Sequence, residues 1–283
     1  MLDNENMDFL MRLYTTINCF PLFLGVFAFL LLAGCSSKEV ILENVNKYNL
    51  LPQNVGFAGV PVYMGVKRGE LHTMVVVYIE GDGRAWITRK KPSDDPTPSH
   101  SLVLKLMQKD DRPSAYLARP CMFIQNENCK QLYWTEERHS ALMVNAMNAA
   151  VDKIKEYYQA SEIEFVGHSG GGAMAILMAA KRNDVKRITT VAGNLDVEFF
   201  TKYHHVTPME GSLNPVDFAE GVRLIPQLHL VGRRDSVIPE NIAKRYQEKS
   251  SSSCVKVKIE DDFTHFKGWE TVWPKVLDEM PKC

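Results

Sequence analysis

The chain has 283 residues, 45% of them hydrophobic and 24% charged, enough to bury a large core in one globular domain. Its formal net charge of −1 comes without a basic stripe, which argues against a nucleic-acid partner.

Residues 1–34 read as a leader. Arg12 is the only basic residue before the apolar run Leu22–Ala33, and a start at Met11 would give a more usual basic n-region. The run is too short to span a bilayer and suits a signal-peptide h-region. It ends in Leu32-Ala-Gly-Cys35, which resembles the lipobox of bacterial lipoproteins. That resemblance implies cleavage before Cys35, acylation of Cys35 and a membrane-tethered body in a bacterial cell envelope. Ser36 in place of Asp resembles the outer-membrane sorting preference, with the body facing the periplasm. An ordinary signal peptide or a buried helix is the competing reading. Cleavage would also remove Asp3, Glu5, Asp8 and Arg12, leaving a formal charge of +1.

Residues 35–54 read as the lipidated cysteine and a tether, and 55–283 as one domain. Gly56–Val66 and His72–Glu80 are β-rich, with Lys67-Arg-Gly-Glu70 between them as a hairpin signal. Thr73–Ile79 is nearly all apolar, as suits a strand buried on both faces. After a proline-rich loop, Ser101–Met107 suits a helix and Ala115–Ala118 a short strand. Glu136–Gln159 reads as a long amphipathic helix, with Leu142, Val144, Met147, Val151 and Ile154 on its buried side. Further strands are expected at Glu162–Val166, Lys186–Val191, Gln227–Val231 and Val255–Ile259. Further helices are expected at Ala173–Lys181, Glu240–Gln247 and Trp269–Glu279. This alternation predicts an α/β fold with a mostly parallel central sheet and helices on both faces.

Six cysteines sort by position. Cys19 leaves with the leader and Cys35 carries lipid, so Cys121, Cys129, Cys254 and Cys283 remain for two disulfides in an oxidising compartment. Three pairings are open. Proximity along the chain favours Cys121–Cys129 and Cys254–Cys283. Neither C-x-x-C nor a His-rich spacing supports zinc, and nothing implies a metal or organic cofactor.

The chemistry converges on Gly167-His-Ser-Gly-Gly171, between a strand and a helix. Ser169 there would be lifted on a strained turn, with Gly167 and Gly171 leaving room for close approach. No Lys-Ser/Thr follows the glycines, so a P-loop is excluded; a packing turn is the bland alternative. Such a serine needs a base. His229 lies inside a strand, His168 inside the turn itself, and His204-His205 lack partners for a metal site. His265, in the loop after the last strand, is the candidate. Asp235 follows a strand end and is preferred as its carboxylate partner, with Asp196 as runner-up. An oxyanion hole would combine the N–H of Gly170 with that of Asp82 in Glu80-Gly-Asp-Gly83. A carboxylate facing an oxyanion is repulsive, so the Asp82 side chain is expected to turn away, toward Arg84 or Arg119.

These residues resemble the α/β-hydrolase superfamily across roughly residues 55–283. Glu80–Gly83, Ala118-Arg-Pro-Cys121, Tyr133-Trp-Thr135 and Gly167–Gly171 are also similar to a group of uncharacterised bacterial hydrolase lipoproteins. The resemblance implies the fold and a Ser-His-Asp triad, but no particular substrate. Residues 197–225 stand where this superfamily inserts a lid. Phe199, Phe200, Tyr203 and Met209 could line an acyl pocket or simply pack the insertion. Its shortness favours an esterase over a lipase with a large mobile cap. The function expected is thus a serine hydrolase of esters, with amides and thioesters also open, working through an acyl-enzyme. The alternative is a catalytically silent envelope lipoprotein of the same fold that binds a partner or ligand. Its oligomeric state is left open.

Overall fold

The computed structural model describes residues 48, 50–69, 71–279, 281 and 283. The leader, Cys19 and Cys35 lie outside the described residues.

A central eight-stranded sheet has the order β1 (Leu50–Phe57), β2 (Val60–Lys67), β6 (Ser114–Leu117), β3 (Met74–Ile79), β7 (Glu162–His168), β8 (Val185–Val191), β9 (Gln227–Gly232) and β10 (Val255–Glu260). From β6 through β10 every neighbouring pair is parallel, and β1 and β2 are antiparallel additions at one edge. Two short strands, β4 (Trp86–Thr88) and β5 (Lys91–Pro92), form a separate ribbon. Among the described residues six α-helices accompany them: α1 (Leu102–Met107), α2 (Ala141–Tyr158), α3 (Gly170–Ala179), α4 (Val197–His204), α5 (Glu240–Ser250) and α6 (Trp269–Val276). This is the mostly parallel α/β architecture that the alternation of elements implies.

The sheet separates two apolar layers, and the period of two along each strand assigns side chains to them. Val75, Val77, Ile79, Ile163 and Phe165 pack on one face with Met143, Met147, Ile176 and Ile242 from α2, α3 and α5. Val76, Tyr78 and Val166 pack on the other with Leu104, Trp269 and Trp273 from α1 and α6. Strand β3, which faces both layers, is therefore apolar on both faces, as Thr73–Ile79 suggested. Each large side chain buried this fully contributes about 1.5–3 kcal/mol.

Three expectations need correction. The Lys67–Glu70 segment does not join paired strands, because β6 lies between β2 and β3. The hairpin is instead at Ala58-Gly59, where both residues take positive φ (50° and 79°), the geometry that matches strand twist in a two-residue turn. Strand β1 starts at Leu50, so the last residues of the expected tether, 50–54, belong to the sheet. Helix α2 starts at Ala141 rather than Glu136, since Ser140 caps it by accepting from Met143 N–H. That late start leaves Arg138 and His139 in the loop before the helix. Cys121 is bonded to Cys129 and Cys254 to Cys283.

Candidate active site

Ser169 sits between the end of β7 and the first residue of α3, with φ 54° and ψ −121°. A non-glycine residue held there is strained, and the surroundings must enforce the strain. They do so by contact: a Cβ on Gly167 would lie 2.3 Å from Gly171 O, and one on Gly171 would lie 2.4 Å from Ile79 O. Ser169 N–H donates to Val191 O, and Ser169 O accepts from Gly172 and Asn194 N–H. The serine therefore stands at the N-terminus of an almost wholly buried helix, where developing negative charge is favoured.

Asp235 and His265 come together from the loops that follow β9 and β10. His265 Nδ1 and Asp235 Oδ2 are 2.9 Å apart, both residues buried. Asp235 Oδ1 accepts from Val237 and Ile238 N–H at 2.7 and 2.9 Å, which fixes the carboxylate. The loop carrying His265 is held in turn by His168, whose Nε2 is 3.0 Å from His265 O and whose ring lies 4.7 Å from the His265 ring. Burial, with the neighbouring His265, pushes the His168 ring down to about 3, so it is neutral and donates to that carbonyl. Asp196, the runner-up, is elsewhere: it caps α4 through Phe199 N–H and pairs with Arg245. His229 is buried in β9 against Thr190 Oγ1, with burial lowering it to about 3. His204 Nε2 meets Val237 O. Among the described residues there is no cluster of three or more metal-ligating side chains.

The Glu80–Gly83 loop leans on the serine turn, an ideal Cβ on Gly81 lying 3.4 Å from Ser169 Cβ. Glu80 anchors its base: Oε1 accepts from Gly81 N–H and Oε2 from the Tyr116 hydroxyl. Burial raises the Glu80 carboxyl, against those hydrogen bonds. Gly83 has φ +61° and no room for a Cβ, which would meet Pro96 O at 2.2 Å. Arg84 N–H is taken by Pro96 O, while Asp82 N–H has no acceptor among the described residues.

The Asp82 carboxylate turns to Arg119, as one of its two expected partners, and not to Arg84. Its second partner is Arg138, which the sequence did not reveal. Oδ1 is 2.8 Å from Arg119 Nη1 and Oδ2 is 2.9 Å from Arg138 Nη1. Arg119 also donates to Arg138 O, and Arg138 Nε to Thr135 O. Burial pushes the Asp82 carboxyl up, but the Arg138 and Arg119 guanidiniums outweigh it and hold the group well below the usual carboxylate range.

Ser169, His265, Asp82 and Arg138 border one cavity of about 950 Å³, walled also by Trp86, Leu102, Phe200, Ile238 and Phe266. Of the four apolar candidates in the insertion, Phe200 reaches this cavity, whereas Met209 lines a different one. Among the described residues no hydrogen bond joins Ser169 Oγ to the His265 ring, and such bonds often tighten only when substrate is bound. No helix of the described residues is long and apolar enough to cross a membrane.

Residues 100–193, which include Ser169, match the family model described as Lipase (class 3). A search of curated proteins finds no match. Among solved structures, the chain is similar to the Pyrococcus furiosus esterase Pf2001 (TM-score 0.60, 11% identity, 83% of this chain and 92% of that one). It is also similar to an alpha-beta serine hydrolase homologue from Coxiella burnetii (TM-score 0.54, 13% identity, 81% and 94%). A third is a putative lipase from Acinetobacter baumannii (TM-score 0.56, 12% identity, 86% and 95%). At these identities the likeness is one of fold.

Proposed function

The chain has the α/β-hydrolase fold, and from that premise we propose that it is a serine hydrolase acting on esters through an acyl-enzyme. The observation that carries the reading is the buried His265–Asp235 hydrogen bond on the wall of the cavity that also holds Ser169 on its strained turn. A packing turn needs neither a strained serine nor an oriented imidazole beside it.

Each group has one role. Asp235 accepts from His265 Nδ1–H, which leaves Nε2 unprotonated and able to act as base. Ser169 Oγ attacks the carbonyl carbon as its proton passes to Nε2. The carbonyl oxygen becomes an oxyanion beside the N–H groups of Gly170 and Asp82. Collapse expels the alcohol, which takes the proton from His265. Water then attacks the acyl-enzyme, His265 accepting its proton, and the carboxylic acid leaves as Ser169 is restored. The apolar walls from Trp86, Leu102 and Phe200 suit an acyl chain. Anchoring in a bacterial envelope through acylated Cys35 is part of the same proposal, resting on the sequence Leu32-Ala-Gly-Cys35.

Labelling with a fluorophosphonate probe tests the reading. The wild-type body should label and hydrolyse a short-chain nitrophenyl ester, and Ser169→Ala and His265→Ala should lose both while staying folded. A folded wild type that neither labels nor hydrolyses would overturn the assignment and leave a binding protein of the same fold.

A further inference from the structure

The Asp82 carboxylate poses a problem that the triad does not solve. An ideal Cβ on Gly170 would lie 2.0 Å from Asp82 Oδ1, so the carboxylate rests against the residue whose N–H should stabilise an oxyanion. A bare negative charge there would oppose the reaction, since electrostatic stabilisation of the developing charge is usually the largest catalytic contribution. Yet the carboxylate is not bare. Arg119 and Arg138, only 4% and 8% exposed, each hold one of its oxygens.

We propose that Arg119, Asp82 and Arg138 form a net-cationic back wall to the oxyanion site, in which the arginines position the Asp82 loop and supply the surplus positive charge that the tetrahedral intermediate needs. The inference rests on the serine-hydrolase reading above and concerns the same site.

Four observations support it. Within the cluster one carboxylate against two guanidiniums leaves one positive charge, in surroundings where little water screens it, and the other acid beside Arg119, Glu80, is pushed by burial toward its neutral form. His139 lies 3.9 Å from Asp82 Oδ1 and does not add to the count, because burial and then Arg119 push its ring down to about 3. The cluster is directional: Asp82 takes one guanidinium per oxygen, and Arg138 is braced by Thr135 O and itself accepts from Arg119 through its carbonyl. Lastly, Arg138 borders the same cavity as Ser169. The cluster also accounts for two motifs that the triad leaves unused. Arg119 belongs to Ala118–Cys121, whose Cys121 is fastened to Cys129, and Thr135 ends Tyr133–Thr135.

Surplus charge and mere bracing predict different kinetics. Arg138→Gln cancels the surplus and should lower kcat for a short ester about 10²-fold, with KM nearly unchanged, if the charge is worth about as much as one oxyanion-hole donor. The double variant Asp82→Asn with Arg138→Gln restores one net positive charge and should recover at least tenfold of that loss. Arg138→Lys keeps the charge but not the planar fork, should stay within about tenfold of wild type, and serves should the glutamine variant not fold. Urea unfolding of each variant confirms the fold. A double variant as slow as Arg138→Gln, or a folded Arg138→Lys as slow as Arg138→Gln, would overturn the proposal. If wild type itself fails to label at Ser169, the serine-hydrolase reading has failed and takes this inference with it.

Discussion

Two carboxylates belong to the candidate site and keep opposite company: Asp82 borders the Ser169 cavity, and Asp235 reaches it through His265. Asp235 meets a single histidine and two backbone N–H groups, so under the proposed mechanism its negative charge is available to an imidazolium forming beside it. Asp82 meets two guanidiniums, so its charge is more than neutralised. The residue type is the same and the chemistry differs because of partners brought from distant parts of the chain. A carboxylate near a reacting centre therefore has no fixed sign of influence. What counts is the charge of the group it is embedded in.

The contrast can be broken from either side. The largest effect is expected from Asp235→Asn, which leaves the geometry but presents the wrong His265 tautomer, lowering kcat by about 10⁴-fold with folding intact. Retention of most activity would argue against the triad. Next comes Gly170→Ala, whose Cβ would fall 2.0 Å from Asp82 Oδ1. The Asp82 side must shift, so kcat should drop about 10²-fold and stability by about 1–3 kcal/mol in urea unfolding. An unaffected variant would show that the carboxylate does not rest where the structure places it. Replacing Cys121 and Cys129 by serine removes a ring that closes next to Arg119, with an expected loss of about 2.5 kcal/mol in stability and weakened support for Asp82. Activity falling in proportion to the unfolded fraction alone would separate Cys121–Cys129 from the Asp82 cluster.

The smallest effect on activity is expected from three buried neutral histidines, which bear on stability instead. His139, His168 and His229 all lie near 3 in the folded state, chiefly through burial. Their unfolded counterparts bind a proton below about 6.5. Stability should thus fall as pH drops from about 6.5 toward 3, because the unfolded chain takes up a proton at each ring that the folded protein keeps neutral. His229→Gln should flatten that slope by one proton, read from urea midpoints between pH 4 and 7.

The side of the site built on local geometry was legible in the sequence. Gly167–Gly171 announces a strand, a tight reversal and a helix within a few residues, and the structure places Ser169 there. Asp235 and His265 each follow a strand end, which is the only information needed to put them in loops on the same edge of a parallel sheet. The other side was not legible. Arg138 is 56 residues from Asp82 and lies in what reads as the first turn of a helix; only the Ser140 cap moves it into a loop. Nothing in its neighbourhood marks it as a partner for a carboxylate. The same limit explains the misplaced hairpin. Lys67–Glu70 has polar turn composition, but whether flanking strands pair depends on β6, which arrives from residues 114–117 and inserts between them.

One further consequence lies in the bond between Cys254 and Cys283. The two cysteines are 29 positions apart, and the chain between them holds β10, the His265 loop and α6 with its two buried tryptophans. His265 is therefore carried on a closed covalent ring rather than on an open strand of polypeptide. Peeling α6 away from the sheet cannot release the imidazole as a free tail, because both ends of the segment stay tied beside β10. Such a ring limits how far the His265 side chain can stray during thermal opening, and a protease that nicks it once leaves both fragments joined.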